Sequence, residues 1–168
     1  AGAGNKTVTT SNAVISDGNN GDNYIISYAN NTTSTIAKAT VNLSANKVYD
    51  GGTSLTGKVT ITTNVGLETL TYTGATVNDR NVTTANKYIN VISLADATDG
   101  SGGLATNYQL PTLNATNAPV TITAKGLTIT ADARQTTYGT ALALGTIAYT
   151  QAGLESVDSI SACLLYTS

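Results

Sequence analysis

The chain has 168 residues, enough for one ordinary domain or two small ones, and it is 40% hydrophobic, 11% charged and 5% aromatic, with every aromatic a tyrosine. Thirty-two Thr, seventeen Asn and sixteen Gly stand against two Pro and no His, Met, Trp or Phe, which removes imidazole catalysis, His-ligated metals and Ser-His-Asp or Cys-His nucleophiles. The formal charge is −2, with eight basic residues spread singly, and no apolar run approaches the roughly 18 residues of a membrane span, so neither a nucleic-acid partner nor membrane insertion is expected.

β-Branched Thr, Val and Ile suit a pleated surface, while straight-chain helix formers are scarce, so the predicted fold class is all-β. The first punctuation is Asp17-Gly18-Asn19-Asn20-Gly21-Asp22-Asn23. Its alternating oxygen donors make Asp17, Asn19 and Asp22 candidate Ca²⁺ ligands. The same letters also spell a polar hairpin loop, and they lack the order and distal Glu of an EF-hand. Period-2 alternation then predicts strands at Val41–Ser44, Lys58–Thr62, Thr69–Tyr72, Val120–Thr123 and Leu127–Thr130. Gly and Asn clusters at 50–52, 64–66, 78–79 and 99–103 supply the turns. The expected core of the central part is Val41, Leu43, Tyr49, Val59, Ile61, Leu70, Val91, Tyr108 and Ile122. The two Glu, Glu68 and Glu155, lie far apart in the chain, and most Asp sit in turns, which argues against a paired-carboxylate hydrolase.

The chain repeats itself. Val8-Thr9-Thr10 recurs as Val82-Thr83-Thr84, Val14-Ile15-Ser16 as Val91-Ile92-Ser93, and Asp17-Gly18 as Asp99-Gly100. Asn23-Tyr24 answers to Asn107-Tyr108, Ala37-Lys38 to Ala124-Lys125, and Tyr49 to Tyr138. The order is shared and the offset rises steadily from 74 to 89, as expected of a duplicated unit that gained residues in its loops. A period of about 85 residues suits a β-sandwich module better than a solenoid coil.

Within this unit, Ala37 to Gly52 leads through Lys47-Val48-Tyr49-Asp50-Gly51-Gly52 and resembles the YDG repeats of large bacterial haemagglutinin-like and filamentous adhesins, with Asn23-Tyr24 and Asn107-Tyr108 at the repeat's Asn-Tyr positions. Gln135-Thr136-Thr137-Tyr138-Gly139-Thr140, with Ile147–Thr150 and Gly153-Leu154, looks like the related YGX-type MBG module. The resemblance implies tandem small antiparallel modules, Ig-like sandwiches or alternatively β-grasp-like or single-layer units. Residues 1–37 would end one YDG-like module, 38–125 would form a complete one, and 126–162 would open an MBG-like one, all cut from a longer chain. Tyr49, Asp50, Gly51, Asn107, Tyr108, Tyr138 and Gly139 would be its structural motif. Tyr49 is expected to lay its ring on the core and to find a surface partner for its hydroxyl.

Cys163-Leu164-Leu165-Tyr166-Thr167-Ser168 holds the single Cys, breaks the Thr/Asn/Gly texture, and matches one reading frame of a transposase end sequence used in DNA library preparation. Residues 163–168 therefore read as an adaptor tail. The functional expectation is a non-enzymatic stalk repeat of an extracellular or cell-surface adhesin. Its partners are neighbouring modules of the same chain and, beyond them, host or biofilm glycans or proteins, with no cofactor other than the Ca²⁺ considered above. The alternatives are a direct carbohydrate- or protein-binding module, which would gather Tyr28, Tyr72, Tyr88 and Tyr149 on one surface, and an enzyme fragment. Asn-x-Ser/Thr sequons begin at Asn5, Asn30, Asn31, Asn42, Asn81 and Asn114, as chance supplies in so Asn- and Thr-rich a chain. A Lys–Asn isopeptide staple would need a buried Lys, an Asn and an acid in contact.

Overall fold

The computed structural model describes residues 1–143, 145, 148–161 and 163. Among these the chain is all-β, as its composition predicts: β1 (Gly2–Val8), β2 (Asn31–Ile36), β3 (Ala39–Thr40), β4 (Asn42–Val48), β5 (Val59–Thr62), β6 (Thr71–Val77), β7 (Ile89–Ala95), β8 (Tyr108–Gln109), β9 (Val120–Thr123), β10 (Thr128–Ala131) and β11 (Tyr149–Ala152). The only helical element described is a 3-10 turn at Ala105–Asn107. Of the adaptor-like tail only Cys163 is described, as a half-exposed free thiol, and Ile147 of the MBG-like string also lies outside the described residues.

The strands form small sheets: β1-β2, β10-β11, β3-β8, β6-β7 and the three-stranded β5-β4-β9. The β1/β2 and β10/β11 pairs are antiparallel. Two pairings are parallel instead, Ala39↔Tyr108 with Thr40↔Gln109, and Ala45↔Val120 through Val48↔Thr123. Each joins strands some 70 residues apart, and a connection of that length can carry the chain back to the same end of the sheet, which a tight hairpin cannot.

Along β4 alternate residues point inward, so Leu43, Ala45 and Lys47 are buried and Asn42, Ser44, Asn46 and Val48 are exposed. Of the expected core, Val41, Leu43, Tyr108 and Ile122 are buried, while Tyr49, Val59, Ile61 and Leu70 are half-buried. Val91 is exposed. The buried residues of β7 are Ile89 and Ile92, three apart, so this strand departs from strict period 2 and turns Val91 outward. Leu55, Ala75, Val77 and Ala118 complete most of the interior.

The contacts divide the chain into two compact units, one of Ala1–Leu43, Thr60–Thr73 and Ile92–Thr112, the other of Ser44–Val59, Gly74–Val91 and Leu113–Ser168. The first holds the β1/β2 and β3/β8 pairs. The second holds the β4/β9 ladder and the β10/β11 hairpin. Every buried hydrophobic residue described lies between Val41 and Ile122, except Ala148.

Candidate functional site: the Tyr49-Asp50-Gly51 turn

β4 hands its ladder to the turn directly, because the Tyr49 N–H still donates to Thr123 O at 2.8 Å. The chain then reverses through Gly51, whose φ of +73° lies in the left-handed region that favours glycine. Asp50 closes the turn, its Oδ1 accepting the Gly52 N–H at 3.0 Å. The same oxygen accepts from Lys47 Nζ at 2.6 Å. Lys47 occupies an inward position of β4, its side chain 1% exposed, and its ammonium also donates to Gly52 O at 2.7 Å and Ser54 O at 3.1 Å. All three of its N–H bonds are thereby used, which is what allows a cation to sit in an apolar row. The Lys47 hydrogen bond, followed by the Gly52 N–H, holds the Asp50 carboxyl below the usual carboxylate range. Arg80 adds a third support, donating from Nη1 to Gly51 O at 2.6 Å.

A loop far along the sequence closes over this turn. The Tyr49 hydroxyl donates to Asp158 Oδ2 at 2.9 Å, and that hydrogen bond to a carboxylate pushes the phenol above its ordinary value. A Cβ on Gly51 would stand 2.5 Å from Val157 Cγ2, so only glycine leaves room for this loop. Lys125 pairs with Glu155 at 2.5 Å. Beside these contacts lies a cleft of about 240 Å³ with Tyr49, Val82, Leu127 and Leu154 as apolar wall and Lys125, Glu155 and Asp158 as its charged groups. Each charged group is paired with another protein group, so the arrangement can hold two stretches of chain together.

The first unit has its own tyrosine on a carboxylate. The 3-10 turn ending at Asn107 delivers Tyr108 into β8, where it is 3% exposed and its hydroxyl donates to Glu68 Oε2 at 2.5 Å, which raises the phenol. Tyr138, expected from the sequence to answer to Tyr49, stands fully in solvent beside Gly139, whose φ is +86°.

In the Asp17 loop the carboxylate closes the backbone on itself. Oδ1 accepts from the Asn19 N–H at 2.9 Å and the Gly21 N–H at 3.0 Å, and Oδ2 from Asn23 Nδ2 at 3.1 Å. These bonds, Gly21 first, hold Asp17 below its ordinary value. Asp22 contributes its N–H to Asn19 O at 3.0 Å. Among the described residues no three His, Cys, Asp or Glu side chains gather where they could hold a metal ion. Lys47 meets the burial that an isopeptide donor needs, but its three bonded oxygens come from Asp50, Gly52 and Ser54, with no Asn and no second acid among them. Of the tyrosines a binding surface would gather, Tyr28 is exposed and Tyr72, Tyr88 and Tyr149 are half-buried.

Sequence reasoning placed Tyr49, Asp50 and Gly51 and missed Lys47, Arg80, Glu155 and Asp158. Lys47 had a signal, since it falls in phase with Val41, Leu43 and Ala45. Asp158 had none. No family model matches the chain, and no curated protein or solved structure matches it.

Proposed function

We propose that this chain is a stalk repeat of a bacterial cell-surface or secreted adhesin, a spacer whose signature residues join successive stretches of the array. The observation that carries this reading is the closure at Gly51: the Tyr49 hydroxyl is committed to Asp158, and the Val157 side chain occupies the space a Cβ would fill. Asp50, with Lys47 and Arg80, fixes the turn's shape. A turn whose Tyr49, Asp50 and Gly51 are all engaged within the chain serves architecture, because a recognition motif must leave donors or an apolar surface for its ligand.

The test is the full chain carrying Tyr49→Phe with Asp158→Asn, followed by amide exchange. The spacer reading expects faster exchange at 49–52 and 153–158 with the β4/β9 ladder unchanged, and no retention on a glycan array before or after the substitution. Saturable retention of a glycan that Tyr49→Ala abolishes would replace the spacer with a binding module.

A further inference from the structure

We propose that Asn20 is a latent modification site, a carboxamide set to deamidate through the nitrogen of Gly21, and that the Asp17 carboxylate holds this reaction back in the folded loop. Asn20-Gly21 is the one place in the sequence where Asn precedes Gly. Gly brings no side chain against the carboxamide carbon, so its nitrogen is the least hindered nucleophile an Asn can meet. In the reaction the Gly21 nitrogen loses its proton and bonds to Asn20 Cγ, the Cγ–Nδ2 bond breaks, and Nδ2 leaves as ammonia. Water then opens the resulting succinimide at one of its two carbonyls, which gives aspartate or isoaspartate at position 20. Water is the only co-reactant.

The folded loop opposes these movements. Asn20 and Gly21 have φ of +53° and +88°, and the Asp22 N–H donates to Asn19 O across them at 3.0 Å, which is the type I′ turn that Asn-Gly favours. Such a turn sets ψ of its first central residue at about +30°. The Gly21 nitrogen then lies nearly opposite Asn20 Cβ about the Cα–C bond, whereas ring closure needs the two eclipsed. The Gly21 N–H also donates to Asp17 Oδ1 at 3.0 Å. Removing that proton would set an amide anion against a carboxylate, a like-charge pair that disfavours the ionisation. Asp17 stays charged at neutral pH, because its hydrogen bonds, Gly21 first, hold it below the ordinary value. Gly21 is buried, the Ile15 side chain standing 3.4 Å from where its Cβ would be, while Asn20 is exposed. Local opening therefore frees the nucleophile and removes the opposing charge together. The conversion runs one way, since isoaspartate adds a methylene to the backbone of the turn and either product adds a carboxylate three residues from Asp17.

The experiment incubates the intact chain at neutral pH and follows the conversion of carboxamide to carboxyl by mass spectrometry of the tryptic segment 7–38, with a synthetic peptide of residues 13–27 as the unfolded reference. In the peptide, Asn20 should convert ahead of Asn19 and Asn23. In the intact chain it should convert roughly tenfold more slowly, because only the opened loop reacts. Asp17→Ala in the intact chain should bring the rate close to that of the peptide, still at Asn20. Asp17→Ser keeps an oxygen that can accept the Gly21 N–H but carries no charge, and it should speed conversion roughly threefold over the parent. A folded rate equal to that of the peptide, an Asp17→Ser rate equal to that of the parent, or conversion in Asp17→Ala that begins at another Asn of the segment would overturn the proposal.

Discussion

Tyr49 and Asp158 lie 109 positions apart in sequence and meet with the phenol oxygen 2.9 Å from Asp158 Oδ2. The donor must be the phenol, because an ionised carboxylate only accepts. Ionising Tyr49 would set two negative charges face to face. Tyr108 on Glu68 repeats the relationship in the other unit.

Both phenols are raised above the ordinary tyrosine value of 10.0. A group whose pKa is higher folded than unfolded holds its proton longer in the folded state, so its contribution is complete below about pH 10 and is lost as pH rises through the folded value. Tyr49 and Tyr108 should therefore titrate late in a phenolate absorbance titration. Tyr49→Phe should remove one late step and Tyr108→Phe the other, each lessening the alkaline loss of stability measured by urea unfolding. Late titration that persists unchanged in the double variant would contradict these assignments.

Gly51→Ala should destabilise for two separable reasons. The left-handed φ of +73° costs a Cβ-bearing residue about 1–2 kcal/mol, and the new methyl meets Val157 Cγ2. Gly52→Ala is the internal control, since its nearest neighbour is Asp50 Oδ1 at 3.7 Å and its φ is not positive. Adding Val157→Ala to Gly51→Ala should recover the steric part and leave the backbone part. Urea midpoints of the four proteins would show it, and a Gly52→Ala loss as large as that of Gly51→Ala would refute the argument.

Lys47→Met keeps the length of the buried stem and removes the ammonium, leaving Gly52 O and Ser54 O without their donor. The expected loss is about 1 kcal/mol, the low end of the cost of an unmade hydrogen bond, because Gly52 is half-buried and Ser54 exposed and water can reach their carbonyls. Asp50→Asn should cost less, because the Asp50 side chain is half exposed and the carbonyls keep their cation. Equal losses in the two variants would mean that the ion pair, and not the carbonyl clamp, dominates.

The division between what sequence could and could not reveal follows from the range of the forces. β5 and β9 fall almost where period-2 alternation places them, and β4 carries the predicted Val41–Ser44 on to Val48, since that pattern is a local consequence of one buried face; β10 forms at Thr128–Ala131 although all four of its residues are exposed. The predicted Thr69–Tyr72 strand forms two residues later, at Thr71–Val77, past the Thr69 side chain that the Asp99 loop takes up. The parallel ladders left no local trace, because they depend on which distant strand the chain returns to. The Tyr-Asp-Gly turn was legible through Gly51 and Asp50, whose roles are local. The partner of Tyr49 was not, since Asp158 sits in an ordinary polar loop and only the tertiary fold brings it to the phenol.

At acid pH the first unit has a marked weak point. Thr69 Oγ1 donates to Asp99 Oδ2 at 2.6 Å and the Ser101 N–H to Oδ1 at 3.0 Å, and these bonds, Thr69 first, lower Asp99 from 3.8 to about 2. A depressed folded pKa means the contribution is present above about 3.8 and is lost as pH falls through about 2. Carboxyl carbon resonances should show Asp99 titrating well below a free aspartate. Thr69→Val should move its midpoint up towards 3.8, and an unchanged midpoint would assign the shift to another cause.

Proteolysis tests where the chain is held. Residues 123–141 are exposed throughout, and Arg134 lies among them in the stretch between β10 and β11, whereas Lys47 is buried with its ammonium tied to three oxygens. Lys87 donates to Val82 O at 2.8 Å and Thr84 O at 2.5 Å, which fixes its loop as well. A protease needs several residues of extended, detachable chain, and exchange between closed and open forms governs access where the chain is ordered. Trypsin in small amounts should therefore cut after Arg134 and near Lys6 and Lys38 first, leaving a fragment that begins near Ala39 and retains β4 to β9. Mass spectrometry of the early time points identifies the cuts. Early cleavage after Lys47 or Lys87, at a rate matching that after Arg134, would show that the buried ammonium and the loop around Lys87 do not restrain the chain as the hydrogen bonds indicate.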